Sequence, residues 1–399
     1  MRVNHPGILL LFLYSHLPGT LIPQPNLAKR IESAEIIVVA RMVSGTSLAS
    51  GSHVSSDVVL HVDRVFKGDL TPGSEISARL EGQGFWDVPS AKQSTLTDHI
   101  YGIWFLKSEG PSYSIVSRDG RSGELFIAPV ILPEDAPAGT QADNPAIAVL
   151  HELVSALRWV AEKQNGRLNP KAEHEGTPDE RKAAGLAISQ FRSLSDDLRA
   201  MDATATHPVY REFATDPSGA LCALGIQGLI AENDPEGIMR AAANWAELVA
   251  SADINPIIAS LMGYSNPSDG AAVRALGSLA LRDPAEASLR ENASYSLRVI
   301  HTKEAVPSLI GLLGFNDERI RINALSGLCL FVRNAPTVTP QAVVSISWMQ
   351  SRQPAPMLNE ETQSHCFMGG TPGHVGDLES YVTFWNSWWA QHRIEIEEN

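Results

Sequence analysis

Three residues that can bind zinc or act as nucleophiles lie close together near the C-terminus: His365, Cys366 and His374. Histidine nitrogen and cysteine sulfur are common zinc ligands, but a structural zinc site takes four of them and this segment offers three. A cysteine nucleophile would also need a third residue that orients its histidine. The spacing therefore favours an ordinary loop, and a metal-dependent enzyme that uses residues 350–376 is kept as an alternative.

Other reaction motifs are missing from the sequence. His151 and Glu152 begin like the His-Glu-x-x-His motif of zinc proteases, but no histidine stands four residues after His151. We expect them to form a surface pair near the start of a helix. The chain also lacks the GxSxG elbow, the GxxxxGK phosphate loop and a GxGxxG turn after a strand. We therefore predict a protein that is not an enzyme, with no catalytic residues, no cofactor and no metal.

The composition is that of a folded acidic protein. The chain has 399 residues, of which 44% are hydrophobic and 19% charged, and its formal net charge is −14. Because a negative field repels phosphate backbones, we expect no nucleic-acid partner. Cys222, Cys329 and Cys366 are too widely spaced for a CxxC metal knuckle or a dense disulfide framework, although one disulfide stays open. Cys222 and Cys329 lie in apolar helical patterns and are predicted core residues.

The first 25 residues resemble a secretory signal. A basic start precedes a short apolar run at residues 8–14, which is too short to cross a membrane. No small-x-small cleavage site follows it. We predict export to the periplasm or the extracellular space; the alternative is a cytoplasmic protein with a disordered leader. No other segment has transmembrane length.

Residues 33–132 show the period of β-strands. Strand candidates lie at residues 35–43, 57–66, 74–80, 99–106 and 112–116. About five short strands with little helix predict a small, partly closed barrel, because closure removes exposed strand edges. The Ser- and Gly-rich residues 45–52 are interpreted as the mobile tip of a hairpin.

The order of these segments resembles the netrin-like or TIMP-like OB barrels of bacterial exported proteins. Residues 34–43, 58–68 and 101–106 carry the resemblance, which covers about a quarter of the chain. It implies an OB-like barrel. Members often carry cysteines that this region lacks, so neither a disulfide-tied form nor protease inhibition, which depends on an N-terminal cysteine, is implied. A small ligand bound at the barrel mouth remains an alternative function.

Helical patterns replace the strand patterns after residue 132. Residues 133–145 are rich in Pro, Ala, Gly and Asp, which predicts a linker. A helical connector is predicted over residues 146–214, with one apolar stripe at 146–163. A second helix should begin at Pro178, with Thr177 as its N-cap and two acidic residues in its first turn.

One motif occurs twice within the region 215–349. Leu289–Leu297 aligns with Ile320–Leu328 at an offset of 31 residues, and Arg, Asn, Ala and Leu fall in register. Another apolar helix pattern, at residues 305–313, lies between the copies. Self-similarity at this period is typical of stacked helical hairpins that bury their apolar faces against one another. We therefore predict an all-α solenoid over residues 215–349.

The repeated polar residues allow two interpretations. Arg290 and Arg321 could line a groove and bind carboxylates of a partner, or they could tie neighbouring repeats together through carbonyls and acids. The structural role is favoured because ion-pair ladders are common in stacked repeats, and Asn292 and Asn323 are interpreted in the same way. Arg290 and Arg321 are nevertheless the candidate partner surface.

This region resembles short bacterial HEAT-like repeats, an armadillo-like architecture also found in phycobilisome-lyase-like proteins. The pattern φRxNAxxxL followed by AVPSLIGLL carries the resemblance, which is strongest over residues 284–334. After a loop at 350–376, a helix at 377–395 carries Trp385, Trp388 and Trp389 along one stripe and is predicted to cap the array.

The predicted fold is therefore multidomain, with an N-terminal all-β OB-like barrel and a C-terminal all-α HEAT-like solenoid. The HEAT-like resemblance implies a non-catalytic binding or scaffold protein whose partner is a protein or a peptide. The resemblance to phycobilisome-lyase-like proteins implies the alternative of a lyase-like enzyme with its site in residues 350–376.

Overall fold

The computed structural model describes residues 27–50, 53–81, 94–96, 100–110, 112–116, 129–163, 168, 174, 176–282, 287–300, 302–332 and 378–398. The chain divides into two compact units. The first unit ends at Leu132 and also takes Ala142–Val149, and the second comprises Pro133–Gln141 with the described residues from Leu150 onward. The first unit holds a β-barrel and the second is helical, which confirms the predicted order of the two fold classes.

The first unit begins with helix α1 (Leu27–Ser33), and its described strands are β1 (Ile36–Ser50), β2 (His53–Lys67), β3 (Glu75–Glu81), β4 (Ser94–Leu96), β5 (Tyr101–Glu109), β6 (Ser112–Ile115) and β7 (Val130–Ile131). Hydrogen bonding follows the order β1-β2-β3-β6-β5 and returns from β5 to β1, which closes a five-stranded barrel. The β3–β6 pair is parallel and the other barrel pairs are antiparallel. The short strands β4 and β7 extend the sheet from β1 and β5.

Strand β1 is longer than the sequence predicted. The residues interpreted as a mobile hairpin tip, 45–52, continue the strand as far as Ser50, which pairs with His53 in β2. The hairpin itself is present, but the interpretation of residues 45–50 as its connecting tip was wrong, because they are strand. The reason is backbone pairing on both sides, because Gly45 faces Val58 of β2 and Leu96 of β4. A ladder of this kind needs no apolar side chains.

Alternate residues of β1 fill the inside of the barrel. Val38, Ala40 and Met42 are buried there together with Trp104, whose indole N–H donates to the Ala40 carbonyl at 3.0 Å. The intervening Val39 is also fully buried. Burial on both faces explains why this strand is an unbroken run of β-formers in the sequence.

The predicted linker lies along the helix that follows it. Helix α2 (Pro145–Lys163) carries Glu152, which is only 3% exposed and accepts the Gly139 backbone N–H at 2.9 Å. His151 Nδ1 lies 2.9 Å from the Thr140 carbonyl. The predicted surface pair is therefore wrong for Glu152, and residues 137–141 are held by side chains of α2. The reason is that a carboxylate can be buried where backbone N–H groups pair with it.

The remaining α-helices of the described residues are α3 (Pro178–Arg199), α4 (Ala203–Phe213), α5 (Gly219–Ala231), α6 (Pro235–Ser251), α7 (Asn255–Leu261), α8 (Gly270–Ala280), α9 (Ala287–Val299), α10 (Val306–Leu312), α11 (Glu318–Val332) and α12 (Leu378–Glu398). Thr177 and Glu180 form the capping box expected at the start of α3. Within the described chain, no helix combines the length and apolar character that a membrane span requires.

Neighbouring helices of the second unit pack in a pattern that advances along the chain. Helix α6 contacts α8, α7 contacts α9, α8 contacts α10, and α9 contacts α11. The two copies of the repeated motif are helical, as predicted, and lie in α9 and α11. Their equivalent apolar positions are all buried: Leu289 and Ile320, Ala293 and Ala324, Leu297 and Leu328.

The aromatic stripe near the C-terminus is helical, as predicted, and only part of it is buried. Trp385 of α12 is fully buried, whereas Trp388 is half-buried and stacks on His392 with 4.6 Å between ring centroids. Helix α12 packs against α10. Glu379 at its start is 2.5 Å from Arg321 Nη1 of α11, so an ion pair joins α12 to α11.

Candidate functional site

A polar groove opens on the face where α9 and α11 lie side by side. Its volume is about 250 Å³, and it is lined by Met262, Glu291, Asn292, Tyr295, Arg298, Arg319, Ile322 and Asn323. Residues from both copies of the motif therefore form its walls. Asn323 and Ile322 are buried at its base, and Met262 and Arg319 are exposed at its rim. We call these eight residues the α9–α11 groove.

Equivalent asparagines fix the helices that form the groove. Asn292 of α9 donates to the Ile258 carbonyl of α7 at 2.9 Å. Asn323, at the same position of the second motif copy, donates to Ser294 Oγ of α9 at 2.9 Å. Each asparagine thus bonds to the preceding helix in the packed series. The structural role predicted for this pair agrees with these contacts.

Arg298 is the cationic residue at the centre of the groove. Its guanidinium group lies 4.5 Å from the Tyr295 ring centroid, and Nη1 donates to Asn323 Oδ1 at 3.1 Å. Burial lowers the pKa of Arg298 below its usual value, and Tyr295 acts in the opposite direction. Arginine nevertheless stays charged at any physiological pH. Among the described residues, no carboxylate forms an ion pair with it.

The rim of the groove carries an exposed ion pair. Arg319 Nη1 is 3.3 Å from Glu291 Oε1, and both side chains are accessible to solvent. An exposed pair of this kind contributes at most about 1 kcal/mol and exchanges partners easily. Formal charges in the groove therefore sum to one positive charge, from Arg298, in a chain with a net charge of −14.

The two predicted surface arginines lie outside this groove. Arg290 donates to the carbonyls of Ala280 and Arg282 at the end of α8, at 3.2 and 2.8 Å. Arg321 donates to the Phe315 carbonyl after α10 at 2.6 Å. Both arginines bond carbonyls at the end of the preceding helix, where backbone acceptors lack helical partners. These are the contacts of the structural interpretation, and the partner-surface interpretation stays a prediction.

The structure describes the side chain of one of the three cysteines, Cys222. His365, Cys366 and His374 lie outside the described residues, and the side chain of Cys329 is not described. Cys222 is half-buried, so its predicted core position was wrong. Its thiol lies 3.5 Å from the Ala214 carbonyl, and burial raises its pKa. The described part of the chain holds no group of three His, Cys, Asp or Glu side chains placed to bind a metal ion.

A histidine between two carboxylates was not predicted from the sequence. His207 Nδ1 is 2.5 Å from Glu232 Oε2, and Nε2 is 3.3 Å from Asp234 Oδ2. Each ring nitrogen therefore already has a carboxylate partner within the protein. The carboxylates also lie on opposite sides of the ring and could not share one ion with it. This cluster therefore ties α4 to the turn between α5 and α6.

A second groove, between α3, α5 and α7, is mainly apolar. Its volume is about 60 Å³, with Ile188, Phe191 and Leu224 among its lining residues. Its charged residues include Arg192, which is paired with Asp253 at 2.8 Å. This arginine is therefore already neutralised, in contrast to Arg298.

Comparison of the chain with protein-family models, curated proteins and solved structures finds no match. The site is therefore defined by its geometry. A groove with an uncompensated cation, amide groups and an aromatic ring can bind a polar, anionic group. The sequence analysis missed Arg298 because it singled out positions that the two motif copies share. Arg298 has Cys329 as its counterpart, and the difference between the copies was the available signal.

Proposed function

We propose that this chain is a non-catalytic binding or scaffold protein whose helical region is a HEAT-like solenoid that presents a surface to a protein or peptide partner. The α9–α11 groove is the proposed contact surface. The observation that carries the proposal is that side chains from both motif copies line one solvent-open groove. A surface assembled from successive helices is how stacked repeats bind their partners.

Repeated contacts support the solenoid interpretation. Asn292 and Asn323 each bond to the preceding packed helix, and Arg290 and Arg321 each bond carbonyls at the end of the helix before them. In both motif copies, the arginine and the asparagine thus bond to residues that come before their own helix in the chain. Helix pairs that advance along the chain agree with this interpretation.

The barrel is proposed to be OB-like and netrin-like. Its support is the strand order β1-β2-β3-β6-β5, closed by β1–β5, with a parallel β3–β6 pair. Export, inferred from residues 1–25, is part of the same proposal, and N-terminal sequencing of the mature chain after cell fractionation tests it. An intact Met1 in a cytoplasmic fraction would refute export.

The alternatives have less support. An enzyme that uses residues 350–376 depends on a segment outside the described residues. A ligand at the barrel mouth would have little room beneath it, because Trp104, Met42 and other side chains fill the interior. Neither alternative has a described site comparable to the α9–α11 groove.

Peptide selection tests the proposed function. A random peptide library is selected on the full-length protein, and the affinities of the selected peptides are then measured by fluorescence anisotropy for two variants. Met262→Arg places a bulky cation at the groove rim, where Met262 is 48% exposed. Leu186→Arg is the matched control, because Leu186 is 64% exposed on α3 and lies outside the groove.

We expect Met262→Arg to weaken binding at least about tenfold, since a displaced contact surface commonly costs more than about 1.4 kcal/mol. Leu186→Arg should bind as the wild type does. Selected peptides that bind both variants equally would place the partner surface elsewhere and refute the role of the groove. Failure to select any peptide would refute peptide binding itself.

A further inference from the structure

Arg298 has only neutral partners among the described residues. They are the Asn323 amide oxygen and the Tyr295 side chain, which contacts Arg298 through its ring and a hydrogen bond. Its Nε is buried and has no hydrogen-bond partner among the described residues. A charge withdrawn from water in this way is costly unless an anion pairs with it.

Acidic residues are abundant in this chain, and arginines elsewhere use them. Arg192 pairs with Asp253 at 2.8 Å, and Arg240 pairs with Glu236 at 2.6 Å. The chain has 45 acidic residues against 31 basic ones. Arg290 also has no described carboxylate partner, but its guanidinium bonds two backbone carbonyls at the end of α8. Arg298 instead lines a solvent-open groove, where a ligand can reach it.

The surroundings of Arg298 suit a single carboxylate group. Its guanidinium is held by the Tyr295 ring on one face and by Asn323 at one nitrogen, so its orientation is fixed before a ligand arrives. Arginine presents paired N–H groups that match the two oxygens of a carboxylate. Arg319 at the rim could turn from Glu291 towards a second oxygen, since their pair is exposed to solvent.

The charge balance argues against a polyanion. Glu291 also lines the groove, so the formal charge of the groove is +1, and the field of the whole chain is negative. A nucleic acid or a highly phosphorylated chain would meet repulsion outside the groove. One carboxylate, in contrast, is neutralised by the one available cation.

We propose that Arg298, oriented by Asn323 and Tyr295, binds a carboxylate group of the partner peptide in the α9–α11 groove. This inference rests on the proposed function. The carboxylate could be an Asp or Glu side chain or the C-terminus of the peptide, and the chemistry recognised is the same. Binding exchanges the water around both charges for paired hydrogen bonds, and no covalent step is involved.

Peptide libraries of three kinds separate these sources. The first contains acidic side chains and has an amidated C-terminus. The second lacks acidic side chains and has a free C-terminus. The third lacks acidic side chains and is amidated, so it carries no carboxylate. Each library is selected on the full-length wild-type protein, and the affinities of the enriched peptides are measured for the variants.

Two variants remove the site by different means. Arg298→Met deletes the charge and keeps a long side chain. Asn323→Asp places a carboxylate where Oδ1 already accepts from Arg298, so the arginine is neutralised internally and its packing is retained. The matched controls are Arg274→Gln, an exposed arginine of α8, and Asn244→Asp in α6, outside the groove. Far-UV circular dichroism checks that all four variants are folded.

We expect the first or second library to enrich, the third to fail, and both site variants to lose at least about tenfold in affinity. The two controls should stay within about twofold of the wild type, as expected of substitutions away from the contact surface. Enrichment of the third library with loss of binding in Met262→Arg would refute the carboxylate site and leave the proposed function intact. Unchanged affinity in Asn323→Asp would also refute it. If no library enriches, both proposals fail.

Discussion

Substitution of Asn323 by alanine tests the bonds that join α9 and α11. Asn323 is 7% exposed, accepts from the Arg298 guanidinium at 3.1 Å and donates to Ser294 Oγ at 2.9 Å. A hydrogen bond to a charged group contributes about 1.5–3 kcal/mol, and a neutral bond about 0.5–1.5 kcal/mol. Ser294 keeps its bond to the Glu291 carbonyl in the variant. We therefore expect Asn323→Ala to lower the free energy of unfolding by about 2–4 kcal/mol.

Urea unfolding of the full chain measures this cost. The helical far-UV signal reports mainly on the second unit, since the barrel unit has one described short helix of its own and the first residues of α2. Asn255→Ala is the matched control, because the exposed Asn255 side chain bonds, among the described residues, only to the Asp253 carboxylate at 3.0 Å. That control should cost less than about 0.5 kcal/mol.

A double-mutant cycle isolates the charged bond. Combining Asn323→Ala with Arg298→Met should give a coupling energy of about 1.5–3 kcal/mol, because the second substitution removes the donor whose partner is already lost. A coupling below about 0.5 kcal/mol is within the range of additive sites and would refute the assigned network. So would an Asn323→Ala cost no larger than that of Asn255→Ala.

Three further substitutions have defined outcomes. The Tyr264 hydroxyl is fully buried and has no partner among the described residues. In urea unfolding, Tyr264→Phe should therefore leave the free energy of unfolding unchanged or raise it by up to about 1 kcal/mol. A clear decrease would show that the hydroxyl forms a hydrogen bond. Burial raises the pKa of Tyr264, chiefly by desolvation, so the folded form retains its proton longer than the unfolded form. Stability should be unaffected below about pH 10 and fall above it by up to about 1.4 kcal/mol per pH unit, and Tyr264→Phe should reduce this slope. Gly277→Ala would bring a methyl group onto Ser308 Oγ of α10. Although alanine favours helix, the substitution should lower the free energy of unfolding by about 1–3 kcal/mol. Adding Ser308→Gly should restore part of that stability. Glu152→Ala should cost about 1–3 kcal/mol and speed proteolysis within residues 133–141, whereas unchanged cleavage would show that this bond does not hold the segment.

Local patterns predicted the elements of this fold well. Alternation and β-forming runs located the strands of the barrel, and the repeated motif located α9 and α11, because both are set by which side chains must be buried. The Thr177 cap was readable because it uses residues only three positions apart. The continuation of β1 to Ser50 was missed because its backbone hydrogen bonds depend on β4. Nothing in residues 45–50 themselves indicates that they pair with β4.

The candidate site was less accessible to sequence reasoning. Arg290 and Arg321 stood out because they repeat, and repetition selects residues that hold the repeats together. Arg298 follows only one of the two motif copies, so repetition did not point to it. Its lack of a described carboxylate partner depends on the residues that the fold brings around it. Burial of Glu152 was missed for the same reason, because its partner Gly139 lies in a segment whose composition resembles a flexible linker.

The division of the chain has a practical consequence for anyone who wishes to express the two halves apart. The polypeptide passes from one unit to the other after Leu132, after Gln141 and after Val149, and the last of these borders falls inside α2. A cut at the first border strips eight residues, 142–149, from the barrel half, and a cut at the last transfers residues 133–141 to it. No single cleavage point therefore yields two intact halves, and fragments made at either border should be less soluble than the parent.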